Sequence, residues 1–146
     1  MAIYRPPKAR WPLATAAAIG GVLVGLGAGL ALGGGDPAPA DAAQAIEAEL
    51  SSAAGSLEVA AVEYQESVAG GEVVKEAEYE GAKAALASSQ SRYAEIRPAL
   101  SALPVSLEPI DELYDQIESS MESRDDPETV TSALEELEEL LQGEPS

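Results

Sequence analysis

Glu135, Glu136, Glu138 and Glu139 are the residues whose type and spacing come nearest to chemistry. Three-residue steps along a helix would set carboxylates on neighbouring faces, where paired oxygens could meet a hard cation such as Ca²⁺. The same run also reads as the solvated side of an amphipathic helix. Asp125 and Asp126 read first as helix-capping chemistry and only then as a ligand pair. Tyr64 and Tyr79 flank Gly70 and Gly71 and could share a surface with Glu63 and Glu78, or close the end of a helical bundle as core-edge rings.

The absent residue types narrow this further. The chain has no Cys and no His. Without Cys there are no disulfides, thiolate metal sites or thiol nucleophiles, and the chain suits either redox compartment. Without His the commonest general base, the usual triads and His-ligated haem are excluded. No Ca²⁺ loop of alternating acids and no phosphate-cradling Gly loop occurs. The expectation is therefore no dedicated metal site, no cofactor, and at most weak binding of hard cations. A hydrolase needs only two carboxylates in a cleft, but a small bundle with short turns leaves little room for one, so the chain is expected not to be an enzyme.

Charge divides the chain in two. Arg5, Lys8 and Arg10 precede every acidic residue, and all 26 acids lie at or after Asp36, where only five cations accompany them. Such an acidic domain repels phosphate backbones, which excludes nucleic acid and favours basic proteins or cations as partners. From Trp11 to Leu32 there are 22 residues without a charge. As a helix they would span roughly 33 Å, enough to cross a bilayer. The cations before this run place the N-terminus in the cytoplasm and the acidic domain outside the membrane.

The other reading of this segment is a cleaved signal peptide ending near Ala38-Pro39-Ala40; its apolar run exceeds the usual signal core, and Pro39 is an awkward neighbour for cleavage. Gly21, Gly25 and Gly29 follow Ala17 at four-residue steps, a stripe along which another helix, including that of a second copy, could approach closely. The organisation expected is a basic tail over 1–10, a transmembrane anchor over 11–33, a Gly/Pro linker over 34–40, and an acidic extracytoplasmic domain over 41–146.

Within that domain four helices are predicted. The first begins with Asp41 as N-cap and carries Ile46, Leu50, Ala53, Leu57, Ala61, Tyr64 and Val68 inward until Gly70-Gly71. The second carries Tyr79, Ala82, Leu86, Ser89, Tyr93, Ile96 and Leu100, with Pro98 kinking or ending its last turn. The third, capped by Ser106 with Pro109 in its first turn, carries Ile110, Leu113, Tyr114, Ile117 and Met121 and stops near Arg124. The fourth has the clearest start, Asp126 as N-cap with Pro127 and Glu128 behind it. It carries Val130, Ala133, Leu134, Leu137, Leu140 and Leu141 to Gly143. No strand is predicted, and the fold class is all-α, an antiparallel four-helix bundle behind a single membrane helix. Its core is thin, rich in Ala and Leu without Phe, and its tyrosines need their hydroxyls wet or paired.

The stretch Val62-Glu63-Tyr64, Ser67-Val68-Ala69-Gly70-Gly71-Glu72-Val73-Val74 and Ala77-Glu78-Tyr79-Glu80-Gly81-Ala82 resembles the extracytoplasmic helical region of bacterial high-affinity iron permeases. Leu103 to Leu113 and Asp126-Pro127-Glu128-Thr129-Val130 are similar too, so the resemblance covers about Leu57 to Leu141. The chain lacks the membrane-embedded Arg-Glu-x-x-Glu pair of those permeases and the Cys-x-x-Cys-His haem attachment of some fusions. The resemblance therefore implies a tethered accessory domain acting beside a metal permease or a redox protein, with a partner docking around Tyr64, Gly70, Gly71 and Tyr79.

Overall fold

The computed structural model describes residues 39–143. The expected anchor over 11–33, its Gly21, Gly25 and Gly29, and most of the linker lie outside the described residues. Among the described residues no helix is long and apolar enough to cross a membrane.

Four helices form, α1 (Pro39–Ser67), α2 (Glu76–Leu100), α3 (Glu108–Glu122) and α4 (Pro127–Gln142). Each pairs with its neighbour in the opposite direction. Glu49 and Glu66 of α1 meet Arg92 of α2 and Lys75 at its N-cap, and Tyr93 and Tyr79 of α2 reach Asp111 and Met121 of α3. The helix α1 packs between α2 and α4, and α3 closes the ring against both of its neighbours. The all-α antiparallel four-helix bundle is thus the architecture of the domain.

The inward residues of α2 and α3 are those the spacing predicts, from Tyr79 to Leu100 and from Ile110 to Met121. On α4, Val130, Leu134, Leu137 and Leu141 are buried while Ala133 and Leu140 pack partly buried against them. The inward face of α1 is broader than predicted, because Ala54 and Ala60 are also fully buried. Alanine at these positions and at Ala53, Ala61 and Ala82 lets the helices approach closely, and the tyrosines supply volume that Phe would usually give.

Two helix starts and one connection differ from the prediction. The helix α1 begins at Pro39, so Asp41 lies inside its first turn, beside the positive end of the dipole, instead of capping it. Leu107, not Ser106, occupies the N-cap of α3 and makes no side-chain cap bond; its own side chain is buried in the core. Asp126 does cap α4, accepting from the Glu128 N–H at 3.0 Å, and Gly143 ends it in the left-handed conformation at φ 72°. Pro98 does not stop α2, which runs two residues further, because a helix near its end loses only the one bond to Ala94 that proline cannot make.

A strand pair was not predicted, yet β1 (Val68–Ala69) and β2 (Glu72–Val73) pair antiparallel between α1 and α2. Gly70 and Gly71 both adopt positive φ, 61° and 80°, the two-residue loop that matches strand twist. Two residues a side are too few to show an alternating pattern. Ser67, fully buried at the end of α1, holds this hairpin through its carbonyl, which accepts from Val74 N–H at 2.7 Å.

Candidate functional site

The hairpin end gathers Tyr64, Gly70, Gly71 and Tyr79, but not on one surface. The tyrosine rings pack with centroids 6.2 Å apart and tilted by 42°. Tyr64 is fully buried and Tyr79 nearly so. Both hydroxyls end on backbone at the C-terminal end of α3, Tyr64 donating to the Asp125 carbonyl in the α3–α4 connection at 2.9 Å and Tyr79 to the Met121 carbonyl in the last turn of α3 at 2.8 Å. The two phenols thus tie α1 and α2 to the end of α3. Burial, with the charges of Tyr79, Asp125 and Asp126 behind it, pushes the Tyr64 phenol up to about 12. The aromatic rings therefore serve the core, and the surface at this end is offered by Gly70, Gly71, Glu72 and Val74.

Glu63 does not join Glu78 on a shared face. Its carboxylate lies across Gly81 of α2, where any Cβ would overlap it, and its Oε2 is buried without a hydrogen-bond partner. A side chain at 81 would require the Glu63 carboxylate to move aside. Nearby, Lys83 sits 5.6 Å from the Tyr79 ring centroid and 3.6 Å from Glu80.

The acidic run of α4 does not converge. Glu135, Glu136 and Glu139 are exposed, and Glu138 is half-buried against α1. Burial, and next the charge of Glu58 on α1, hold the Glu138 carboxyl above the usual range, although Gln142 donates to it at 2.8 Å. Among the described residues no three acidic side chains are grouped to hold a metal. Of Asp125 and Asp126, only Asp126 caps a helix, while Asp125 contributes its backbone carbonyl to Tyr64.

Two arrangements went unread in the sequence. Arg97 forms a forked pair with Asp111, Nε to Oδ1 at 3.1 Å, and Tyr93 donates to the same Oδ1 at 3.0 Å. Arg97 keeps the Asp111 carboxyl below its ordinary value, while burial, then Asp111, push the Tyr93 phenol up. This cluster ties α2 to α3 beside a shallow groove lined by Ser101, Ser106 and Glu108. Residues 97 and 111 are separated by the loop, so helical spacing could not pair them. The second is the exposure of Val59 and Val62 on α1 and of Val74 just beyond the hairpin, none of which belongs to an inward helical spacing.

The core of the bundle is thus filled by its own side chains. Residues 39–144 match the iron permease-associated 4-helix bundle domain. No match is found among curated proteins or among solved structures. The matched segment takes in all four helices and the hairpin, and the chain belongs to the family of iron permease-associated four-helix bundle domains.

Proposed function

We propose that this chain is a membrane-tethered accessory protein of iron uptake that acts by docking an iron permease and not by catalysis. The observation that carries the reading is the match of the whole bundle to a domain associated with iron permeases. The uncharged run from Trp11 to Leu32 behind Arg5, Lys8 and Arg10 supports a single-pass anchor with the domain on the extracytoplasmic side. The tether holds the domain at the same surface as its partner and raises the effective concentration of the pair. The Gly21, Gly25 and Gly29 stripe is a second place where copies or partners associate within the membrane.

The test is co-isolation. Full-length protein carrying an affinity tag, extracted in mild detergent from cells that make an epitope-tagged iron permease of the same organism, recovers that permease. Recovery no greater than that of an unrelated single-pass protein overturns the reading.

A second reading, direct binding of hard cations, has Glu138 in its favour, since a cation beside Glu58 and Glu138 would relieve their mutual repulsion. Helical carboxylates without a closed shell would bind only at about 0.1–1 mM, and calorimetry with Ca²⁺, Mn²⁺ or ferric iron measures it. A sub-micromolar site abolished by Glu135→Gln or Glu138→Gln would make cation binding the primary function.

A further inference from the structure

The helix α1 contains no Lys or Arg along its whole length, and its two faces differ sharply. Inward it buries Leu50, Ala53, Leu57, Ala61 and Tyr64; outward it exposes Ala48, Ser51, Ser52, Gly55, Val59 and Val62. These six recur at three- and four-residue steps over about 21 Å, an uncharged track on a domain where acids outnumber cations by 20. Val59 and Val62 are 50% and 56% exposed, two of the three large apolar side chains that the described surface leaves out. A Cβ built on Gly55 meets nothing within 4 Å, so the centre of the track is open.

The borders of this track carry opposite electrostatic situations. Toward α2 two carboxylates are already answered, Glu49 by Arg92 at 3.0 Å and Glu66 by Lys75 at 2.8 Å, and the third, Glu63, lies turned in against Gly81 and away from the track. Toward α4 they are not. Glu47 and Glu58 lie three turns apart on that border, and among the described residues neither has a cation at ion-pair distance. Glu58 instead confronts Glu138, which Glu135 and Glu139 crowd from its own helix. Like charges facing across a helix–helix groove lower the stability of the free domain, and an arriving cation relieves them.

We infer that the outward face of α1 is the docking surface for the permease, and that the partner lays on it a helix with a small, apolar stripe and Lys or Arg along the flank that faces α4. The assignment rests on the permease reading above. Charge complementarity decides the occupant. A second copy would bring the same unanswered carboxylates and its own large negative charge, whereas a basic-flanked helix supplies what the α4 border lacks. The apolar track excludes water at the centre and the rim charges fix orientation and speed the encounter.

The co-isolation of tagged permease by the full-length protein tests this with three variants and a comparator. Gly55→Leu fills the open centre without charge; recovery falls about tenfold. The melting temperature does not fall, because leucine replaces glycine in an exposed helix. Val59→Asp with Val62→Asp lowers recovery at least as much. Glu58→Lys lowers recovery and flattens its dependence on salt, while Val74→Asp at the hairpin leaves recovery unchanged. Undiminished recovery with Gly55→Leu and with Val59→Asp/Val62→Asp overturns the assignment of this face, as does a homodimer of the full-length protein in sedimentation that the same changes dissolve. If the unaltered protein recovers no permease, the functional reading itself falls and the docking face with it.

Discussion

Ser89 and Tyr114 share a hydrogen bond of 2.7 Å in the middle of the α2–α3 interface, with Ser89 fully buried and Tyr114 only 2% exposed. No bulk water can replace either partner when the other is removed, but the two removals differ. In Tyr114→Phe the Ser89 hydroxyl can turn to the carbonyl of Ala85 four residues back, as Ser91 already does toward Ala87 at 2.9 Å. The loss is then that of one net hydrogen bond, about 0.5–1.5 kcal/mol. In Ser89→Ala the buried phenol loses the partner it has, and an orphaned buried hydroxyl costs about 1–3 kcal/mol. The double change removes both polar groups and leaves apolar atoms in contact, so its cost falls short of the sum of the singles by about 1 kcal/mol or more. Urea unfolding followed by circular dichroism, on a chain beginning at Pro39, measures all three. Additivity within about 0.3 kcal/mol would refute the claim that these hydroxyls depend on one another.

Alkali should unfold the bundle steeply. Burial raises the phenols of Tyr64, Tyr93 and Tyr114 above their ordinary value, so their contribution is intact below the unfolded value near 10 and is lost as pH rises toward the folded values. The loss reaches about 4 kcal/mol per pH unit if the three titrate together, and a urea midpoint that stays level above pH 10 would mean the phenols are hydrated. Asp126→Ala should cost about 1 kcal/mol through the lost cap while Asp126→Asn keeps most of it, as unfolding of the two variants will show. Adding salt should raise the melting temperature as the Debye length falls from about 30 to 10 Å, because the domain repels itself; a flat response would mean the charges are neutralised internally.

The sequence made the helices legible because their period survives in every core position: Tyr79 to Leu100 needed no correction, and neither did Ile110 to Met121. Asp126, Pro127 and Gly143 were readable because each answers a local backbone need. The N-caps of α1 and α3 were not readable, since Asp41 and Ser106 are plausible caps whose use depends on where the chain enters the bundle. The placement of Tyr64 and Tyr79 shows the same boundary. Their types and positions were plain, but that the two phenols end on carbonyls at and just beyond the end of α3 depends on a packing forty to sixty residues away. The exposed track on α1 is legible in retrospect as the absence of charge on one face, a signal that a search for inward spacing ignores.

Iron uptake measures the central claim most directly. Cells lacking this protein, supplied with radioactive iron at limiting concentration, should take it up more slowly than the parent. Full-length protein should restore the rate, and the bundle beginning at Pro39, released without its first 38 residues, should restore little of it, since docking from free solution forgoes the concentration that a tether supplies. Uptake at the parental rate without the protein would contradict the account.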